Sequence, residues 1–295
     1  MKKIINSIIA IMTITALFLT ACGSDSTGSE GTLSILASTT FLADITRSVA
    51  GSRVQVGSLL SAGADPHAYQ PSPQDMARIE ESQLIIINGA GYEQFLAGLI
   101  AGKNVIEASA GLSPVEDAEH GVDPHMWLDP NLVIAYVENI RKALTEYDPA
   151  GAAVYQSNAD AYTAQLQELD GWTKTQAGQI PADRRLLVTN HEAFGYFAGR
   201  YGFKVVGSVV PSFSSNAAPS AQQMAGLIDE IKKLNAPAIF LDTADNNMLA
   251  KQIAAETGVV VIDDLHLESL TEGAPAATYI EMMKYNVSRI VEALR

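Results

Sequence analysis

The stretch Val122-Asp123-Pro124-His125-Met126-Trp127-Leu128-Asp129-Pro130 places a histidine between two Asp-Pro steps, just before a predicted helix. Each proline fixes its own φ and disfavours helical backbone at the preceding aspartate. Asp129 is therefore predicted to cap the helix, with Pro130 at its first position. This arrangement holds His125 on a stiff loop, which a metal ligand needs and a solvent-facing histidine does not.

The composition is that of a globular protein. Of 295 residues, 47% are hydrophobic and 18% are charged, and the length suffices for one large core or two lobes. A single cysteine excludes an intrachain disulfide and a cysteine-based zinc site. The formal net charge of -14 argues against a nucleic-acid partner, whose binding needs basic patches. An acidic surface is compatible with attracting cations, although solubility alone would also explain it.

The first residues are predicted to be a targeting segment. Two lysines precede an apolar run over residues 4–19, so residues 1–21 have the pattern of a secretory signal peptide. The sequence Leu19-Thr20-Ala21-Cys22 resembles a lipobox, where a bacterial lipoprotein is cleaved and its cysteine lipidated. A membrane-spanning anchor is the alternative, but the run is shorter than the ~20 residues a span needs. Residues 22–31 form a Gly/Ser-rich tether, so we expect an extracytoplasmic, lipid-anchored body.

Strand and helix patterns alternate in two separate parts of the chain. They occur over residues 32–149 and again over 181–295, which favours βα units and parallel sheets. Residues 150–180 lack strand signals and proline, so they predict one long helix. We therefore expect an α/β fold with two lobes, each with a small, mostly parallel sheet flanked by helices, joined by one long rigid helix.

Histidines and acids occur where predicted strands end. The chain has five histidines: His67, His120, His125, His191 and His266. His67, His125 and His191 follow strands or lie beside prolines, and Asp263 and Asp264 end the last strand. Ligand sites of parallel sheets gather at such ends. Three imidazoles and one carboxylate suit Zn²⁺, and a carboxylate also admits Mn²⁺. Taken singly, each histidine is more often a hydrogen-bonded core or cap residue.

The remaining histidines carry weaker signals. His120 lies in an acidic loop with Glu116, Asp117 and Glu119, so it is either a solvated residue or an auxiliary that hands metal inward. His266 is predicted at the surface. His191 and Glu192 do not form the helical zinc-protease motif, because no second histidine follows on the same helix face.

Four separated motifs, in order from about residue 33 to the C-terminus, closely resemble the metal-binding solute-binding proteins of bacterial zinc and manganese ABC importers. They are Asp65-Pro66-His67-Ala68-Tyr69-Gln70-Pro71-Ser72-Pro73-Gln74-Asp75, Asp123-Pro124-His125-Met126-Trp127-Leu128-Asp129-Pro130, His191-Glu192-Ala193-Phe194-Gly195-Tyr196-Phe197 and Tyr279-Ile280-Glu281-Met282-Met283-Lys284-Tyr285-Asn286. The resemblance implies two α/β lobes with the metal in the cleft between them.

The resemblance also implies a ligand set, which consists of His67, His125, His191 and Asp264. Asp264 fits the acidic position better than Asp263, and Asp263 and His120 are possible auxiliary metal residues. The manganese branch often has glutamate where this chain has His191, so Zn²⁺ is favoured and Mn²⁺ is the alternative. The loop before Asp123 is short and acidic, which weakens any expectation of histidine-rich metal capture.

The expected role is a receptor rather than an enzyme. Four protein ligands leave no open position for an activated water, which catalytic zinc keeps. The implied partners are an ABC transporter permease, the metal ion and the membrane, through a lipid on Cys22, and we expect a monomer. Two alternatives come from other classes: a zinc hydrolase with Glu192 as general base, and a surface adhesin.

Overall fold

A computed structural model describes residues 33–118 and 120–295. The predicted signal peptide, Cys22 and the tether over residues 22–31 lie outside the described residues. Among the helices in the described ranges, none has the length and apolar character that crossing a bilayer requires.

Four parallel strands form the first sheet, in the order β2-β1-β3-β4. They are β1 (Ser34–Ala37), β2 (Gln55–Ser58), β3 (Leu84–Ile87) and β4 (Val105–Glu107), and they alternate with helices α1 (Thr40–Ala50) and α2 (Pro73–Glu81). Strand β3 is buried along its whole length, as its unbroken apolar sequence predicts. Ser72 and Asp75 form a capping box at the start of α2.

Two helices follow the first sheet in the chain. Helix α3 (Pro130–Tyr147) begins as predicted, because the Asp129 carboxylate accepts the Asn131 N–H at 2.9 Å. Helix α4 (Ala152–Ala177) has 26 residues, which corresponds to about 39 Å at 1.5 Å per residue. The prediction of one long helix in this part of the chain is confirmed.

Four more parallel strands form the second sheet, in the order β10-β9-β7-β8. They are β7 (Leu186–Thr189), β8 (Lys204–Ser208), β9 (Ala238–Asp242) and β10 (Val260–Leu265), and the helices are α5 (Gly195–Tyr201), α6 (Ala221–Leu234), α7 (Met248–Thr257) and α8 (Tyr279–Leu294). The predicted α/β fold class with two parallel sheets flanked by helices is confirmed. The domain boundaries at residues 149/150 and 180/181 stay predictions.

Two segments differ from expectation. The acidic loop before Asp123 contains a short antiparallel hairpin, in which β5 (Glu116–Asp117) pairs with β6 (Gly121–Val122). The apolar spacing over residues 92–100 indicates an amphipathic helix, but only Gln94–Leu96 form a 3₁₀ turn. Gly91, with φ +77°, turns the chain just before this segment and Gly98 interrupts it, which explains the shorter element.

One large apolar cluster joins the two sheets through α4. It includes Ile35 of β1, Leu166 of α4 and Leu187 of β7. Helix α4 contacts α1, α3 and α8, so it packs on elements from both parts of the chain. Trp127 stacks on Phe41 within this cluster, with ring centroids 4.7 Å apart. The shared core holds the loops that follow the strands of the two sheets in fixed relative positions.

Candidate metal centre

Three histidines and one glutamate converge where loops of the two sheets meet. Ligand atoms of His67, His125, His191 and Glu268 all lie within 4.8 Å of one another. The Nε2 atoms of His125 and His191 are 3.3 Å apart. The Glu268 Oε1 lies 2.9 Å from the His67 Nε2 and 3.5 Å from each of the other two Nε2 atoms. The structure thus brings together the three predicted histidines, which lie far apart in the sequence.

Both Asp-Pro-His motifs use the same local turn. The Asp65 Oδ1 accepts the backbone N–H of His67 at 2.8 Å, and the Asp123 Oδ1 accepts that of His125 at 3.0 Å. An aspartate that bonds the backbone two residues later is an Asx turn, which is a local consequence of sequence. The proline between the two residues restricts the turn further. Each motif therefore presents its histidine from a rigid backbone.

His125 has a second bond that orients its ring. Its Nδ1 lies 2.8 Å from the Asp123 Oδ1, and the ring is fully buried. A proton shared with this carboxylate leaves the Nε2 lone pair free to face the other ligand atoms, which is the usual arrangement around a metal-bound histidine. Burial lowers the pKa of His125, but the carboxylates of Asp123 and Glu268 outweigh it, so the pKa is raised.

His191 is held differently. It is the second residue after β7, and its backbone carbonyl accepts the Thr189 hydroxyl at 2.8 Å. Its ring is buried, and its Nδ1 has no hydrogen-bond partner within the part of the chain that the structure describes. Its orientation therefore depends on packing rather than on a hydrogen bond to the second ring nitrogen.

Glu268 is the carboxylate of the cluster, and sequence analysis did not identify it. It is 4% exposed. Burial raises the pKa of this carboxyl, but the opposite effect of His67, His125 and His191 is larger. The pKa is therefore well below its usual value. The centre therefore combines one ionised carboxylate with three imidazoles, which is a donor set for a cation.

The loop that carries Glu268 is fixed from both sides. The Asp242 carboxylate at the end of β9 accepts the backbone N–H groups of Leu267 and Glu268. The Leu267 carbonyl accepts the Trp127 Nε1–H at 2.7 Å, next to the His125 motif. The Leu270 N–H donates to the Thr40 hydroxyl at 2.7 Å. Burial and the charge of Glu268 raise the pKa of Asp242 to about 7.

The expectation for Asp264 is corrected by the structure. Strand β10 continues through Leu265, beyond the two aspartates at its predicted end, and contains one extra residue opposite β9. Asp264 is directed to the surface, where it accepts bonds of 2.9 Å from the Tyr285 hydroxyl and the Arg289 Nε. Asp263 is exposed and accepts a bond from Asn247. Neither aspartate is a member of the four-residue cluster.

One local signal could have pointed to Glu268. It lies in the sequence Leu267-Glu268-Ser269-Leu270, between two leucines that are both buried. An acid flanked by buried leucines is itself expected to be buried, and a buried carboxylate needs a partner. The strand that ends at two aspartates gave the stronger signal, but the structure places neither aspartate in the cluster.

The two other histidines lie outside the cluster. The His120 Nδ1 lies 2.9 Å from the Asp117 carboxylate and 3.3 Å from that of Glu192. His120 and His67 both line a cleft of about 420 Å³ that leads to the metal centre. His266 is half-buried rather than fully at the surface, and burial lowers its pKa.

The sequence profile of the ZnuA family, described as zinc-uptake complex component A, periplasmic, matches residues 35–293. The chain belongs to the ZnuA family. Proteins of the ZnuA family are the metal-binding substrate-binding components of ABC importers.

Two curated relatives agree with this assignment. The manganese-binding lipoprotein MntA of Halalkalibacterium halodurans is 36% identical and covers 100% of this chain and 99% of its own. The iron-binding protein YfeA of Yersinia pestis is 33% identical, covering 97% and 94%.

Solved structures of ZnuA-like proteins share the fold. The periplasmic zinc-binding protein TroA of Treponema pallidum has a TM-score of 0.85 at 27% identity, over 90% of this chain and 99% of TroA. A manganese-bound periplasmic metal-binding protein of Candidatus Liberibacter asiaticus has a TM-score of 0.80 at 28% identity, over 89% of this chain and 100% of its own. The similarity extends across both sheets.

Proposed function

We propose that this protein is an extracytoplasmic receptor that binds Zn²⁺ through His67, His125, His191 and Glu268 and delivers it to an ABC importer permease. The observation that carries the proposal is the convergence of four donor atoms from four distant loops. Membership of the ZnuA family supports a transport role. The metal is the cargo, so the site must both bind and release it.

The spacing of the donor atoms supports zinc. A regular tetrahedron with ligands 2.0–2.2 Å from its centre has edges of about 3.3–3.6 Å. Four of the six donor–donor distances are 2.9, 3.3, 3.5 and 3.5 Å, and all six are within 4.8 Å. Three imidazole nitrogens and one carboxylate oxygen are also a donor set that suits zinc.

Manganese is the second candidate cargo. The relative from H. halodurans is a manganese-binding lipoprotein, and several streptococcal relatives are manganese transporter lipoproteins. Mn²⁺ prefers oxygen ligands more strongly than Zn²⁺ does. The centre described here offers more nitrogen than oxygen atoms, which favours zinc.

A receptor fits the centre better than a hydrolase does. Four protein side chains fill a tetrahedral shell, whereas catalytic zinc keeps one position for water. Glu192, the general base of the alternative, has its carboxylate 3.3 Å from His120 rather than in the cluster. The receptor would act as a monomer, held at the membrane by a lipid on Cys22.

A competition titration tests the ligand set and the cargo. Metal-free protein is titrated with Zn²⁺ and Mn²⁺ against a chromophoric chelator, and the metal in protein as purified is measured by elemental analysis. We expect tighter binding of Zn²⁺, a large loss of affinity in Glu268→Ala and an unchanged affinity in Asp264→Ala.

The two variants form a matched pair, because each removes one acid from the same region of the chain. Equal losses in both, or a loss only in Asp264→Ala, would overturn the assignment of Glu268. Tighter binding of Mn²⁺ than of Zn²⁺ would make manganese the cargo while leaving the ligand set intact.

A further inference from the structure

An unusual turn lies next to the metal centre, directly after β3. Three consecutive residues have positive φ: Gly89 at +85°, Ala90 at +52° and Gly91 at +77°. Glycine adopts this left-handed region readily, but alanine does so rarely because its Cβ meets the backbone. Such a turn persists only when surrounding contacts hold it.

The carboxylate of Glu93 supplies those contacts. Its Oε1 accepts the Asn88 N–H at 2.6 Å and the Ser38 hydroxyl at 2.7 Å, and its Oε2 accepts the Gly89 N–H at 3.1 Å. Successive backbone N–H groups that converge in this way form a binding site for an anion. Here the anion is a side chain of the same turn, and it is 6% exposed.

The turn contacts one proposed metal ligand, His67, and the residue that precedes another, Pro124. The Asn88 side chain donates to the Pro124 carbonyl at 3.0 Å, directly before His125. Tyr92 packs edge-on against His67, with ring centroids 5.6 Å apart. Residues 88–92 therefore support the loops of both Asp-Pro-His motifs.

We propose that the ionised carboxylate of Glu93 is a positioning residue for the metal centre, because it holds the 88–92 turn and thereby the His67 and His125 rings in the metal-binding arrangement. The proposal rests on the metal-binding function proposed above. Glu93 does not itself contact the metal; it acts through Asn88 and Tyr92.

The charge of Glu93 is the testable part of this role. Burial raises the pKa of its carboxyl to about 7, against the lowering effect of the hydrogen bonds from Asn88, Ser38 and Gly89. The titratable groups that face it are phenols, Tyr92 from the turn and Tyr136 from α3. The Glu107 carboxylate of β4 lies on the other side of Gly89. A protonated Glu93 could not accept all three bonds, so the turn should loosen as pH falls through 7.

Glu93→Gln tests the proposal, because glutamine has the shape of the protonated acid. Zinc alone is the probe, and affinity is measured at pH 8 and pH 6 by chelator competition. We expect Glu93→Gln to bind about 10-fold more weakly than wild type at pH 8, the lower end of losses seen for residues behind metal ligands, and equally at pH 6. Asp44→Asn is the control, since the Asp44 carboxylate accepts the Tyr279 N–H rather than supporting this turn.

Ser38→Ala gives a second variant with a milder change. It removes one of the three donors that stabilise the anion, so the fall in zinc affinity should begin at higher pH than in wild type. Equal affinities of Glu93→Gln and wild type at pH 8, or the same loss at both pH values, would overturn the proposal. If Glu93→Gln does not fold, an unchanged pH profile of Ser38→Ala would overturn it. Failure of wild type to bind zinc would instead overturn the proposed function.

Discussion

His125 and His191 face each other across the metal centre, but their rings are held in different ways. The Nδ1 of His125 is bonded to Asp123, two residues earlier in the chain. The Nδ1 of His191 has no such partner within the described ranges. The comparison shows that one ring is oriented by its own sequence motif and the other by its tertiary surroundings.

The same contrast extends to the other two residues of the cluster. His67 lies in an Asp-Pro-His motif, whose Asp65 bonds its backbone. Glu268 lies in a loop that depends on Asp242, 26 residues before Glu268, and on Trp127, which bonds the Leu267 carbonyl 140 residues later in the chain. The backbones of the ligands that precede α4 are thus held by their own local turns, whereas the ligands that follow α4 depend on long-range contacts.

Removing the ring of His125 or of His191 should give the largest loss of zinc affinity. We expect His125→Ala and His191→Ala each to weaken zinc binding by more than about 100-fold. That is the largest loss usual for residues that only hydrogen-bond a metal ligand. The two should differ in the metal-free protein, where only His125→Ala leaves a buried carboxylate without a ring partner, at a cost of about 1–3 kcal/mol. Chemical denaturation of both metal-free variants measures this difference. Equal free energies of unfolding would remove the distinction between the rings.

Changing Asp123, which bonds the His125 ring, should give an intermediate loss of zinc affinity. Asp123→Asn keeps an acceptor for the His125 N–H but loses the charged partner of its ring, so zinc affinity should fall about 10- to 100-fold. Asp65→Asn is the matched control, because Asp65 accepts only the backbone N–H of His67 and the Ser215 hydroxyl. Chelator competition compares the two variants. A loss in Asp65→Asn as large as that in Asp123→Asn would contradict the role given to the ring bond.

Removing one hydrogen bond of the loop that carries Glu268 should give the smallest change in zinc affinity. Thr40→Val removes the acceptor of the Leu270 N–H, so we expect the free energy of unfolding to fall by about 1 kcal/mol. Zinc affinity should change only slightly, since the Asp242 carboxylate still accepts the Leu267 and Glu268 N–H groups. Thermal unfolding with and without zinc measures both quantities. A large loss of affinity would show that this contact, rather than Asp242, sets the position of Glu268.

The same contrast explains what the sequence could predict. The rigid backbone around His125 and the N-cap at Asp129 were predicted, because proline and aspartate restrict the backbone of neighbouring residues. The two parallel sheets followed from alternating strand and helix patterns. These features need only local interactions and the general rules of parallel sheets.

Glu268 could not be predicted in the same way. Its position depends on an extra residue in β10, which extends the strand past Asp263 and Asp264. It also depends on the hydrogen bond that the Glu268 N–H donates to Asp242 of β9. A bulge changes which residues face the site without a clear local signal. The turn held by Glu93 is an intermediate case, because its bonds to Asn88 and Gly89 are local, whereas its bond from Ser38 comes from a distant part of the chain.

The X-ray absorption spectrum at the zinc edge tests the central claim most directly. We expect the loaded protein to show four ligands, three imidazole nitrogens and one carboxylate oxygen, at about 2.0–2.2 Å. The oxygen should be lost or replaced in Glu268→Ala and retained in Asp264→Ala. A shell of six ligands, or a spectrum that Glu268→Ala leaves unchanged, would contradict the account.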